Sequence, residues 1–103
     1  FASSDRQAIG LLRALNERGL RVPEDIAVVS FDGTIPSAYT WPPLTVARQP
    51  LAAMARTAWD LVTAGGSEEP RHREFPLELV IRSSCGCPGR ETPPRVDSRP
   101  SSA

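Results

Sequence analysis

Residues 26 to 32 read Ile-Ala-Val-Val-Ser-Phe-Asp, an almost unbroken apolar stretch that ends on a carboxylate, and this run limits the possible folds most tightly. A strand without polar alternation suits a position covered on both faces, as inside a parallel sheet flanked by helices. Upstream, Ala8, Ile9, Leu11, Leu12 and Leu15 recur at helical spacing. A helix leading through a short turn into a buried strand is the second half of a βαβ crossover, with Phe1 and Ala2 as the end of the preceding strand. The pattern therefore predicts an α/β fold built on a parallel sheet, with Asp32 at the carboxyl end of a strand.

The boundaries of the first helix are written locally. Ser4 with Gln7 three residues later fits a capping box, in which hydroxyl and amide satisfy backbone donors at the helix start. Gly19 supplies a left-handed stop, and Val22-Pro23-Glu24-Asp25 reads as a turn. Gly33, Pro36, Pro42 and Pro43 make residues 33–43 a loop, after which 44–48 reads as a short extended connector. Pro50 suits the first turn of a second helix whose apolar face carries Leu51, Met54, Ala55, Ala58, Leu61 and Val62, closed by Gly65-Gly66. Phe75, Leu77, Leu79 and Ile81 then alternate with other residues, the period of a strand. Pro76 cannot donate to a ladder, so that strand lies at an edge or begins after it. From Gly86 onward the chain is rich in Pro, Ser and charge without apolar periodicity, which predicts a disordered tail over 86–103.

Length and charge narrow the function. A chain of 103 residues is one domain or part of one, and its 40% hydrophobic content is ordinary for a folded protein. Twelve arginines, with no lysine, balance twelve acidic residues, and the balance holds in each half. DNA binding draws most of its affinity from cations neutralising phosphates, so this segment offers no electrostatic basis for it. No apolar run approaches the roughly 20 residues that span a bilayer, and the sequence shows no signal peptide. The lack of an initiating Met leads us to expect upstream sequence. Cys85 and Cys87 are too few for a disulfide framework, and their spacing lacks the paired pattern of a zinc site. His72 stands alone in a polar stretch, while Glu24-Asp25 and Glu68-Glu69 read as solvated turn carboxylates. No glycine-rich phosphate loop follows a strand. The expectation is a chain without cofactor or metal that is not an enzyme.

The order of motifs carries a resemblance. Ser4-Asp5 is followed by Ala8-Ile9-Gly10, by Gly19-Leu20-Arg21-Val22-Pro23-Glu24-Asp25-Ile26 and by Ser30-Phe31-Asp32. Pro42-Pro43-Leu44-Thr45, Arg48-Gln49-Pro50 and the run Glu78 to Gly86 then follow. Over about the first 86 residues this series resembles the C-terminal part of the effector domain of LacI/GalR transcriptional regulators. The resemblance implies a periplasmic-binding-protein-like fragment with two main helices, incomplete, over residues 1–85. The family's helix-turn-helix, hinge helix and most of its first subdomain are not in this chain.

The resemblance also implies site residues. Effectors in such proteins sit between two subdomains at the carboxyl ends of parallel strands. Asp32 falls at the matching position, where an ionised carboxylate can accept from two adjacent sugar hydroxyls; Asp is also common as the start of a turn. Ser4 stands where the family commonly has Asn, so it either contacts a ligand or serves as a helix cap. Gln49 matches a crossover position near the cleft, or is an exposed residue before a helix-starting proline. Thr45-Val46-Ala47 departs from the more usual Thr-Thr-Val. Asp5 is expected to support the positive end of the helix dipole.

Family members dimerise through this helix and the loop after the Asp32 strand, which makes Ile9, Leu12, Arg13 and Tyr39 the interface candidates. Ala8, Leu11 and Leu15 would then face the sheet. The implied partners are a small polar effector, a sugar in the family's pattern, a second copy of the chain, and DNA through the absent N-terminal segment, in the cytoplasm. Two alternatives stay open: an extracytoplasmic sugar-binding receptor of a transporter, and a truncated chain without function whose second helix has lost its partner.

Overall fold

The computed structural model describes residues 1–65 and 71–87. Helix α1 (Asp5–Glu17) precedes strand β1 (Val29–Asp32), strand β2 (Thr45–Arg48), helix α2 (Leu51–Thr63) and strand β3 (Glu78–Val80). Two 3-10 turns, Ile35–Ala38 and Ser83–Cys85, complete the described elements. The expected tail lies outside the described residues beyond Cys87, as do Gly66, Glu68 and Glu69.

The sheet is ordered β1-β2-β3. β1 and β2 run parallel with Asp32 opposite Arg48, and Ala2 makes a parallel bridge to Ser30 on the other side of β1. Three chain segments thus point the same way, as the crossover pattern predicts. β3 is antiparallel to β2, pairing Val46 with Val80, so the sheet is mixed rather than wholly parallel. It begins two residues after Pro76 and closes one edge, where a missing donor costs nothing.

Two expectations about strands are corrected. Residues 44–48 are not a connector: Thr45–Arg48 is the central strand, hydrogen-bonded on both sides. The apolar run forms a strand only from Val29, and Ile26 is exposed. Ser30, Val46 and Val80 line up across the sheet and, with Val28 and Leu44, face α1. Phe31 and Ala47, of opposite parity, are half-buried on the other face, where no described helix covers them. The run is therefore covered on one face among the described residues, not on both.

Helix α1 fills that covered face. Asp5, Ala8, Leu12 and Leu15 are its buried residues, a three-four-three spacing that keeps one stripe on the sheet. Leu12 is in the core and Leu11 on the surface, the reverse of the expected phase. Adjacent leucines sit about 100° apart on a helix, so a core that admits one rotates the other outward.

The start is capped by Ser4, whose hydroxyl accepts from the Gln7 N–H at 3.2 Å, but the Gln7 amide oxygen accepts from Ser3 rather than reaching back to Ser4. Half of the capping box forms. At the other end the Leu20 N–H bonds Leu15 O and the Gly19 N–H bonds Asn16 O, with Gly19 at φ +70°. This is the Schellman arrangement, which a side chain at Gly19 would strain.

Helix α2 has no buried residue, and Pro50 is its N-cap rather than part of its first turn. Met54 and Leu61 are half-buried, while Leu51 and Val62 are exposed, along with Trp59 on another side. The apolar face expected for it exists in sequence and has no cover among the described residues.

Candidate functional site

The parallel arrangement sets the site. Because the residue 2 bridge, β1 and β2 all run in one direction, the chain after each emerges at the same sheet end. Ser4 follows the first, Asp32 terminates the second and Gln49 follows the third. The three residues that the resemblance implies for effector contact therefore come from neighbouring strand ends.

Two of them touch. The Gln49 side-chain Nε2 donates to Asp32 Oδ1 at 2.7 Å, and the Gln49 backbone N–H donates to Asp32 O at 3.0 Å. Both residues are half-buried. Asp32 Oδ2 accepts no hydrogen bond from the described residues, which leaves one carboxylate oxygen available at the strand tip. Ser4 joins neither of them: its hydroxyl is engaged as the helix cap.

The backbone at the tip is held in an unusual shape. Asp32 has φ +125°, a region that side chains rarely adopt, and Gly33 follows at φ +75°. A Cβ on Gly33 would lie 2.6 Å from Arg48 Cβ and 2.7 Å from its Cα, so the chain can cross β2 here only without a side chain. Strain of this kind persists where surrounding contacts over-determine it.

Those contacts come from Asp5. Its side chain, 1% exposed, accepts from Ser30 Oγ at 2.7 Å and from the Thr34 N–H at 2.6 Å, and also from the Thr34 hydroxyl. Burial raises the Asp5 pKa, but the hydrogen bonds from Thr34 and Ser30 outweigh it and hold the group below the usual carboxylate value. Asp5 thus ties the start of α1 to both sides of the Asp32-Gly33 turn. The sequence reading gave Asp5 a role at the helix dipole alone; its partners lie 25 and 29 positions away, and no local pattern signals them.

A second buried network lies behind the tip. Arg82, 6% exposed, donates through one guanidinium nitrogen to Ser37 Oγ and Leu44 O, each at 2.9 Å, and its backbone N–H bonds Thr45 Oγ1 at 2.8 Å. It fastens the 35–38 turn, which follows the Asp32 loop, to β2. Sequence reasoning did not single it out.

The remaining candidates divide. Ile9 and Arg13 lie on the outer side of α1, where Arg13 Nε pairs with Glu17 at 2.7 Å, and Tyr39 is 71% exposed. Leu12, at 9%, belongs to the core and is not on that outer surface. His72 faces solvent beside Glu74. Asp25 is not simply solvated: Arg21 grips it through the backbone N–H at 2.7 Å and two side-chain nitrogens at 3.1 Å, which lowers the carboxyl pKa. No helix of the described residues is long and apolar enough to cross a membrane.

Comparison with known proteins places this geometry. Residues 1–85 match the periplasmic binding protein-like domain family. The HTH-type transcriptional repressor MelR of Bacillus subtilis (strain 168) is 41% identical over 93 residues, covering 88% of this chain and 27% of that protein. The crystal structure of the LacI family transcriptional regulator CCPA from Weissella paramesenteroides with bound glucose superposes with a TM-score of 0.70. It is 30% identical and covers 81% of this chain and 30% of the other. A LacI family regulator from Arthrobacter sp. FB24 in complex with lactose gives a TM-score of 0.68 at 32% identity, covering 81% of this chain and 33% of the other. The chain spans about a quarter of the length of the first curated relatives it matches.

Proposed function

The chain belongs to the LacI/GalR family of transcriptional regulators, within the periplasmic binding protein-like domain family, and on that premise we propose that residues 1–85 sense a sugar for a regulator whose DNA-binding part is not in this sequence. The observation that carries the reading is the Asp32–Gln49 pair at the carboxyl end of two parallel strands, with one carboxylate oxygen left open. An ionised carboxylate accepts hydroxyl protons strongly and in two directions, which selects both position and stereochemistry of a polyol. Gln49 fixes the carboxylate's rotation, and Ser4 contributes its hydroxyl from the adjacent strand end or serves as a cap alone. The glucose and lactose complexes of related regulators support the ligand class.

In this reading the intact protein is a cytoplasmic, non-catalytic homodimer. Ile9, Arg13 and Tyr39 supply the exposed part of the contact between copies, and sugar binding shifts the equilibrium of the DNA-binding parts. The apolar face of α2 packs in the intact protein against the portion of the domain that this chain lacks.

Calorimetric titration of the intact protein with glucose, lactose and related sugars tests the proposal. Asp32→Ala removes hydrogen bonds to a charged acceptor, each about 1.5–3 kcal/mol, and should weaken binding at least about tenfold. Unchanged affinity in that variant would remove Asp32 from the site.

A further inference from the structure

The segment Cys85-Gly86-Cys87 takes no part in the sugar site, and its geometry carries a separate reading. Cys85 ends the 3-10 turn Ser83–Cys85, Gly86 follows at φ +67° and ψ +18°, and Cys87 is exposed. The left-handed residue bends the backbone between the two cysteines. Two residues of extended chain span up to roughly 7 Å between Cα atoms, at or beyond the limit for a disulfide, whereas a bent pair falls inside the roughly 4.4–6.8 Å that disulfides require.

The turn is also anchored. Ser84 Oγ donates to Val28 O at 2.6 Å and accepts from the Thr45 N–H at 2.8 Å. The Ser84 N–H bonds Pro43 O at 3.1 Å, and Ser84 O accepts from Val28 at 2.9 Å. Four bonds thus knit this residue to the starts of β1 and β2, so Cys85 cannot drift. A Cβ on Gly86 would come within 3.3 Å of Pro23 Cβ, which keeps this position small as well as left-handed.

We propose that Cys85 and Cys87 form a vicinal dithiol that closes to an intramolecular disulfide by exchange with a small soluble disulfide. The Cys85 thiolate attacks the external disulfide, forms a mixed disulfide and expels one thiolate, which takes up a proton. Cys87 then loses its proton and attacks the Cys85 sulfur, expelling the second small thiol. Two protein thiols are oxidised by two electrons, and one small disulfide is reduced to two thiols.

The roles follow from the surroundings. The Cys85 thiol donates to the Arg82 carbonyl oxygen at 3.6 Å; burial pushes its pKa up, but interactions with Cys87, Thr45 and nearby backbone groups outweigh burial and lower it. The hydrogen bond to Cys85 leads the causes that raise the Cys87 pKa. Cys85, held in place by the anchored turn, is assigned the attack, and exposed Cys87, on the free side of the bend, is assigned the resolving step.

The test treats the full chain with oxidised and reduced glutathione in varied ratio, then quenches the thiols and weighs the intact protein. The wild type should lose both titratable thiols together, with a mass lower by two hydrogens and no glutathione attached. Cys87→Ser should stop at one attached glutathione on Cys85, and Cys85→Ser should react more slowly than Cys87→Ser at neutral pH. Gly86→Val keeps both thiols and should slow closure, so that the mixed disulfide accumulates. Retention of both thiols in the wild type, glutathione on both cysteines, or cross-linking between chains would each overturn the proposal. Sugar affinity is measured separately, and its outcome leaves this result unaffected.

Discussion

Gln49 grips Asp32 twice, through its side-chain amide at 2.7 Å from Oδ1 and through its backbone N–H at 3.0 Å from the carbonyl oxygen. The backbone bond continues the β1–β2 ladder by one residue, and the side-chain bond turns that ladder into a support for the carboxylate. In the proposed sugar site a ligand meeting Asp32 would find the group already oriented, so less conformational entropy would be lost on binding.

Gln49→Ala keeps the backbone bond and deletes the side-chain one. The bond is already made without ligand, so its loss, about 1.5 kcal/mol for a bond to a charged group, should lower stability by about that much, and the unbraced carboxylate should also weaken sugar affinity in the intact protein. Calorimetry and a denaturation curve on the same variant separate the two effects. Equal affinity in variant and wild type would show that Asp32 needs no such brace.

Asp5 makes the fold sensitive to acid. Its pKa is depressed in the folded chain, where Thr34 and Ser30 stabilise the ionised form against burial, and returns to about 3.9 when unfolded. Its contribution is complete above that unfolded value and declines as the pH drops through the folded value, because protons then bind the unfolded chain more readily. Denaturation midpoints should therefore fall between about pH 4 and the lower folded value. Asp5→Asn should flatten that decline. Asp5→Ala, which strands the Ser30 hydroxyl and the Thr34 N–H, should cost roughly 3 kcal/mol at neutral pH.

Gly33→Ala tests the crowding at the strand tip. The added methyl group would sit 2.6 Å from Arg48 Cβ, in a backbone conformation with φ +75°. The conformational part alone costs about 1–2 kcal/mol, and displacement of β2 adds to it. Lower stability together with weaker sugar binding is the expected result in urea titration and calorimetry. A neutral substitution would contradict the close approach.

Leu11 and Leu12 give a direct reading of helix phase. Leu12→Ala empties part of the core and should destabilise the chain by about 2–4 kcal/mol, whereas Leu11→Ala at the surface should cost less than about 1 kcal/mol. Chemical denaturation of the two variants checks this, and the reverse order would restore the phase expected from sequence.

Much of the molecule was legible from residues close together in the chain. Ser4 and Gly19 delimit α1 because a helix terminus must satisfy its own backbone groups within a few residues. β3 begins only after Pro76 because a missing N–H is a local fact. The family motifs brought Asp32 and Gln49 forward as candidates, and the structure sets them in contact. What contact does for a ligand is the proposal that calorimetry tests.

Other features were decided only when distant segments met. Residues 44–48 carry no stronger strand signal than a connector, and became the central strand because β1 and β3 supply hydrogen-bond partners from either side. Leu11 and Leu12 are equally apolar, so the sheet beneath α1 chose between them. Asp5 looked like a helix-end carboxylate until Ser30 and Thr34 closed around it. Periodicity, caps and prolines act through backbone geometry within a turn or two, so sequence alone determines them. Strand pairing, helix phase and buried polar partnerships depend on which surfaces lose water together, and that is settled by the tertiary structure.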